Sequence, residues 1–186
     1  MSELATQPFT GTYRASPVPS TFAFKIRHSG AFWFRGVMPE AQATLRAGDD
    51  GLVLEGAAKV ESISVFDPAE LRAHLLAPDF FEAERHPEVS FRSTDLRLAE
   101  GGCLDLDGEL TIKGTTRPIK ATGHWSGPRQ AAFGEIVGLS LRASFDRREF
   151  GFDWQAEMPD GGDAVGWEVE LEVDLLLMPE APDADA

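Results

Sequence analysis

Histidine, cysteine and carboxylate side chains are the groups of this chain that could do chemistry, and their spacing argues against catalysis. The histidines stand at His28, His74, His86 and His124, none at the spacing of a helical zinc pair and none near the single Cys103. Most carboxylates fall on the outward side of alternating segments, whereas glycoside chemistry needs paired acids in a cleft. The sequence also lacks nucleophile-elbow, phosphate-loop and dinucleotide-binding motifs. We therefore predict a non-catalytic protein with no metal and no cofactor.

Charge and hydropathy exclude further classes. The 17 Lys and Arg against 31 Asp and Glu give a net charge of −14, which repels a polyphosphate partner. No basic stripe with interleaved aromatic residues is present, so nucleic-acid binding is not expected. The opening residues have no basic n-region, and no stretch approaches the roughly 18 apolar residues that span a bilayer. We expect no membrane insertion and a cytoplasmic location.

In the segments that must position any site, apolar and polar residues alternate with a period of two residues. In residues 21–28, the side chains of Phe22, Phe24 and Ile26 share one face and the cations take the other. The same alternation recurs at residues 104–112, 139–146 and 168–175. A helix cannot gather such residues on one face, whereas a strand must. One apolar face and one wet face are typical of an antiparallel sheet.

Turn signals divide the chain into about eight strands. We predict them near residues 11–15, 20–28, 31–46, 51–62, 88–98, 103–113, 117–126, 135–146 and 164–177, the first continuing into the second. Residues 67–86 interrupt them as a short helical excursion, with Asp67 as the cap and Pro68 in the first helical position. An eight-stranded antiparallel sheet avoids open edges by closing, and such a barrel is just wide enough for one small ligand. An open sandwich is the alternative.

The chain length suits one domain. We expect a flexible N-terminus at residues 1–8, a barrel domain at 9–178 and a disordered acidic tail at 179–186. Thirteen Phe against one Tyr suit a dry interior, because Phe carries no hydroxyl that needs a partner. A Phe-rich packed core and a Phe-lined cavity both fit this composition.

Four ordered signatures resemble the YceI-like polyisoprenoid-binding family, from about residue 9 to residue 178. They are STFAFKIRH at 20–28 with FWFRG at 32–36, VESIS at 60–64 with HLLAPDFFEAERHPEVSFRST at 74–94, GELTIKGTTRPI at 108–119, and DRREFGF at 146–152. The resemblance implies an all-β, lipocalin-like, eight-stranded antiparallel barrel with a long apolar pocket. The implied partner is a polyisoprenoid, a quinone or a related lipid.

The strand faces then predict which side chains line this pocket. The inward-facing candidates are Phe22, Phe24, Ile26, Phe32, Phe34, Phe91, Leu110, Ile112, Leu141 and Val173. His28 continues the same face just before a Ser-Gly turn, where it either hydrogen-bonds at the barrel rim or contacts the head group of a ligand. Phe80 and Phe81 form a lid or, as we prefer, a plug at one end of the barrel.

Three functions fit the sequence. The first is a carrier that holds an isoprenoid or a similar long apolar lipid. The second is a ligand-free barrel that acts as a homodimeric interaction module, with Trp33, Trp125 and Trp154 at an interface. The third is an enzyme acting on a small apolar substrate inside the barrel, which needs an inward polar cluster that only His28 begins.

Overall fold

The alternating segments form ten strands in the computed structural model, which describes residues 8–65 and 68–180. In chain order these strands are β1 (Gly11–Ala15), β2 (Thr21–His28), β3 (Phe32–Val37), β4 (Ala41–Gly48), β5 (Gly51–Lys59), β6 (Glu88–Leu98), β7 (Cys103–Ile112), β8 (Thr115–Ala131), β9 (Gly134–Asp146) and β10 (Val165–Pro179). One α-helix, α1 (Ala69–Leu76), lies between β5 and β6. Short 3-10 turns occur at Val60–Ser62 and Arg147–Phe150.

The sheet is antiparallel throughout and closes on itself. Its order is β1-β4-β5-β6-β7-β8-β9-β10-β2-β3, and β1 also pairs with β10. Strand β10 passes from β2 to β1: its Val173 lies opposite Phe22, and its Leu177 lies opposite Ala15. β1 with β2, and β3 with β4, therefore act as two interrupted strands. The barrel has eight strand positions, which confirms the predicted eight-stranded antiparallel barrel.

The strand expected at 31–46 is divided at Pro39. Before this residue, the amide of Met38 donates to the carbonyl of Phe22 at 2.9 Å, which continues the pairing with β2. After it, the carbonyl of Glu40 accepts from the amide of Lys59 at 2.9 Å, which begins the pairing with β5. Proline has no amide hydrogen to donate to a ladder, so it suits the point where the chain changes partners.

Helix α1 confirms the helical excursion and lies across the upper end of the barrel, which we define as the end with the β2–β3 and β7–β8 turns. Pro68 is the residue at its N-cap, one position before the helical position expected for it, and the expected cap Asp67 lies outside the described residues. Leu75 of the helix is buried and packs with Ile63 and Val65. The helix is therefore held by an apolar cluster between β5 and β6.

The lower end of the barrel, with the β4–β5, β6–β7 and β8–β9 turns, is filled. Leu45, Val137 and Leu177 are 0% exposed, and Leu104 and Leu139 are 2% exposed. All five belong to one apolar cluster formed by several strands. This packing gives the barrel a solid base.

Ser93 joins two strands where their ladder is interrupted. The β5–β6 register ends at Glu55 opposite Arg92, and β6 has an irregularity between Ser93 and Asp95. The next amide of β5, that of Leu54, donates instead to Ser93 Oγ at 2.8 Å. Ser93 is 4% exposed, so this bond is inside the barrel wall.

We expect Ser93→Ala to lower the free energy of unfolding by about 1–3 kcal/mol, because it leaves the buried Leu54 amide without an acceptor. Urea denaturation followed by tryptophan fluorescence measures this change. Ser144→Ala on the exposed face of β9 is the matched control and should stay within about 0.5 kcal/mol of the parent. Equal, small effects of the two substitutions would show that the Ser93 bond contributes nothing.

Candidate ligand-binding cavity

Between the filled lower end and helix α1, the barrel encloses a cavity of about 230 Å³. Its wall is formed by side chains of several strands, the helix and the segments that cover the upper end. Eight of the predicted pocket residues line it: Phe22, Phe24, Ile26, Phe91, Leu110, Ile112, Leu141 and Val173. The structure thus brings together residues from five strands whose inward direction follows from alternation.

Several cavity residues are only half-buried although they face inward. Phe22, Phe24, Phe91, Leu171 and Val173 show this pattern. A packed core would cover such side chains, as the lower end of this barrel covers its leucines. Their exposed apolar surface therefore faces an open lumen.

The other three predicted residues lie away from the cavity. Phe34 packs against the cluster around Ile63, and Phe32 is 54% exposed. The His28 ring stacks on Phe32 with 5.1 Å between centroids, and its Nδ1 lies 3.0 Å from Ser29 Oγ. These residues occupy the inward-facing positions of β2 and β3, but they lie closer to the upper end of the barrel. A contact from any of them to a ligand stays a prediction.

Aromatic rings cover the upper end of the cavity. Phe80 and Phe81 line it and follow helix α1, and the Phe81 amide donates to the Leu75 carbonyl at 3.0 Å. The Phe81 ring meets Phe152 edge-on at 5.1 Å, and the Phe80 ring lies 5.4 Å from that of Trp154. Both phenylalanines therefore stand between the lumen and the upper surface, where a plug or a lid must lie.

The three tryptophans considered for an interface differ in exposure. Trp125 donates its indole N–H to the carbonyl of Ala99 at 2.9 Å and packs against the lower core. Trp154 is half-buried in the upper aromatic cluster. Trp33 is 38% exposed and lies under the guanidinium of Arg27, 4.4 Å from the ring centroid. Of the three, Trp33 alone is exposed.

Among the described residues that line the cavity, Glu55 and Arg147 are charged, and Arg147 is the buried one. Arg147 lines the cavity and is 3% exposed. Its Nε, Nη1 and Nη2 donate to the carbonyls of Gly166, Phe152 and Val165 at 2.9, 2.5 and 3.3 Å. Its guanidinium lies 4.2 Å from the ring centroid of Trp167. Burial lowers the pKa of Arg147, because desolvation disfavours the charged form.

Sequence reasoning missed several wall residues, some of which had a signal. Leu171 stands two residues from Val173 on the same face of β10, and Arg147 continues the inward parity of β9. Strand alternation, extended to every second position, would have identified both. Leu75 and Phe152 come from a helix and a loop, where period two does not apply.

Within residues 8–65 and 68–180, no three His, Cys, Asp or Glu side chains are grouped so as to hold a metal ion. Cys103 is exposed at the start of β7. None of the helices in the same ranges is long and apolar enough to cross a membrane.

Two glycines keep aromatic rings against the cavity wall. A Cβ atom at Gly36 would lie 2.5 Å from atoms of the Phe24 ring, and a Cβ atom at Gly108 would lie 2.5 Å from atoms of the Phe91 ring. Each ring therefore lies over the bare backbone of the neighbouring strand. The lumen stays open because both rings lie against the wall.

The closed antiparallel sheet with an apolar lumen defines a lipocalin-like barrel. The chain belongs to the YceI-like family, since the model of the YceI-like domain matches residues 13–177. A UPF0312 protein of Photorhabdus laumondii is 25% identical over 132 residues, which are 69% of this chain and 68% of that protein.

Solved structures share the fold at low sequence identity. Burkholderia cenocepacia BcnA superposes with a TM-score of 0.72 at 16% identity, covering 88% of this chain and 99% of that one. A polyisoprenoid-binding domain from Saccharophagus degradans, implicated in plant cell wall breakdown, has a TM-score of 0.66 at 11% identity and covers 94% of this chain and 100% of that one. These similarities establish the barrel architecture.

We expect Gly36→Ala to destabilise the protein by about 1–3 kcal/mol, because the new Cβ must displace the Phe24 ring. The cost should be smaller in a Phe24→Ala background, which a double-mutant cycle of urea unfolding measures. Gly48→Ala is the control, since a Cβ atom there meets nothing within 4 Å and its effect should be neutral or stabilising. Additive effects at positions 24 and 36 would contradict the proposed contact.

Proposed function

We propose that this protein is a non-catalytic carrier that holds an isoprenoid or a similar long apolar lipid inside its barrel. The observation that carries the proposal is the set of half-buried, inward-facing apolar side chains around the cavity, including Phe22, Phe24 and Phe91. Apolar surface exposed to a lumen loses the contacts that a packed core provides, and an apolar ligand restores them.

The energetics suit a lipid tail. Burying each 100 Å² of apolar ligand surface contributes about 2.5 kcal/mol, before the costs of association. A long tail that fills the lumen therefore reaches micromolar affinity, about 8 kcal/mol, without strong polar contacts. A small polar ligand would gain little from this wall.

The relatives favour an isoprenoid as the ligand class. The Saccharophagus degradans domain that shares this fold is described as polyisoprenoid-binding. The chain also belongs to the same YceI-like family that its sequence signatures indicate. Quinones and polyprenols both carry such tails, so both fit the proposal.

The buried polar groups support a binding role over catalysis. Among the described residues, the buried polar or charged side chains are Ser93 and Arg147, and both bond to backbone groups. The interaction module with a filled core does not account for the open lumen. The cytoplasmic location and the homodimer stay predictions from the sequence.

The first test is mass spectrometry of the purified protein, native and after organic extraction, followed by titration with geranylgeraniol. We expect either a co-purified lipid with isoprene mass spacing or saturable uptake of geranylgeraniol. Absence of both would make the carrier proposal wrong and favour the interaction module.

Ala143→Phe locates the binding. Ala143 is half-buried and lines the cavity, so a phenylalanine there should fill the lumen and weaken geranylgeraniol binding by about tenfold or more. Ala132→Phe makes the same change in the exposed β8–β9 turn and should leave binding within about twofold. Circular dichroism checks that both variants fold. Equal affinities would place the ligand outside the cavity.

A further inference from the structure

Residues 69–86, which we call the cover segment, are separate from the hydrogen-bond ladders of the barrel. Among the described residues, the backbone–backbone hydrogen bonds of this segment have both partners within residues 68–86. The Phe81 amide, for example, donates to Leu75, and the His86 amide donates to Glu82 at 2.9 Å. Each of the ten strands, in contrast, pairs with at least one neighbour. The cover segment is therefore held on the barrel through side-chain contacts.

One side of the cover segment is anchored in a buried apolar cluster. Leu75 is 8% exposed and packs with Ile63, which is 0% exposed, and Phe34 of β3 packs against the same cluster. Arg72 Nη2 also donates to the carbonyl of Glu61 at 2.5 Å. Separating this side from the barrel would expose apolar surface to water, which is costly.

The other side of the cover segment meets the β7–β8 turn in a small contact. Lys113 of this turn donates from Nζ to the Pro78 carbonyl at 2.7 Å, at the exposed surface. The His86 ring lies over Gly114, where a Cβ atom would come within 2.7 Å of His86 Cε1. Among the described residues, the Lys113–Pro78 bond is the one hydrogen bond between the segment and this turn. Water can replace an exposed bond of this kind, so this side opens more easily than the side at Ile63.

The inner face of the cover segment rests on aromatic rings that follow β9. The Phe81 ring meets that of Phe152 at 5.1 Å, and the Phe80 ring meets that of Trp154 at 5.4 Å. The His74 ring also contacts Trp154, edge-on at 5.0 Å between centroids. Ring contacts separate without leaving a buried polar group unpaired, so they oppose opening less than a strand ladder does.

We propose that the cover segment is a lid that swings on its Ile63 side, with the Lys113–Pro78 hydrogen bond as its latch. Such a lid controls the passage of lipid to and from the lumen, and so it rests on the proposed carrier function. The lower end of the barrel is filled, and passage between strands would break their pairing. At the upper end, opening breaks the latch and a few ring contacts and leaves every strand paired.

Hydrogen–deuterium exchange of the ligand-free protein tests the lid without a ligand. We expect the amides of residues 69–86 to exchange about tenfold or more faster than those of β9 and β10. Lys113→Met removes the latch but keeps an apolar side chain beside Phe152. It should speed exchange about fivefold across the whole segment, including α1, while the strands stay unchanged.

Lys120→Met is the matched control for both parts of the test. Lys120 is 87% exposed on the outer face of β8 and pairs with Asp107. The same change of side chain at this position should leave exchange in the cover segment as it is in the parent protein. Circular dichroism checks that the variants fold, and Lys113→Gln replaces Lys113→Met if the latter does not.

Stopped-flow tryptophan fluorescence with geranylgeraniol, delivered from cyclodextrin, tests whether the lid controls lipid passage. Loss of the latch raises the open population of the free and the loaded protein alike. Lys113→Met should therefore raise the association and dissociation rate constants together, about fivefold, and keep Kd within about twofold. Dissociation is measured by transfer of the lipid to phosphatidylcholine vesicles, and Lys120→Met should match the parent protein.

The outcomes separate the lid from the carrier proposal. Exchange that changes only beside Pro78, or nowhere, in Lys113→Met overturns the lid. Rate constants equal to those of the parent protein also overturn it, and the carrier proposal then stands because geranylgeraniol still binds. Faster dissociation alone, with weaker binding, would make Lys113 a ligand contact and would overturn the latch. Failure to bind geranylgeraniol contradicts the carrier proposal, and with it the role of the lid in lipid passage, even where exchange shows that the segment opens.

Discussion

Strand β10 hydrogen-bonds to β9 along one edge and to β2 and then β1 along the other, and this shared pairing closes the barrel. Closure gives the backbone polar groups of these strands partners within the sheet and fixes which side chains face the axis. Because successive side chains of a strand point to opposite faces, every second residue of the wall faces the largely apolar interior. The filled base, the lumen and the aromatic cover are three levels of that one inward face.

The lumen exists because its level is packed differently from the base. At the base, aliphatic side chains such as Leu45 and Leu177 are fully buried in one apolar cluster and exclude solvent. At the cavity level, the rings of Phe24 and Phe91 lie over glycines of adjacent strands and leave the axis free. An apolar lumen offers water few hydrogen bonds, so an entering tail displaces little that was well bound. Among the described residues that line the cavity, Glu55 and Arg147 are the charged ones.

The alternation of apolar and polar residues along the sequence predicted most of the fold and part of the candidate site. It located the strands and the inward face, and eight predicted residues line the cavity because parity alone determines direction. It could not give height along the axis, which depends on register, so His28, Phe32 and Phe34 share the inward face but lie above the lumen. The alternation also makes no prediction where the backbone is not extended. Leu75 and Phe152 were missed for this reason.

The ring-over-glycine contacts of the cavity wall have an evolutionary consequence. Because Phe24 lies where a side chain at position 36 would be, a larger residue at 36 is tolerated only together with a smaller one at 24. Phe91 and Gly108 are linked in the same way. The two positions of each pair should covary among homologous barrels, so that a lineage can widen or narrow its lumen by exchanging bulk between neighbouring strands. The width of the ligand that the cavity accepts can then change through two paired substitutions, without a shift of any strand or a change in any turn.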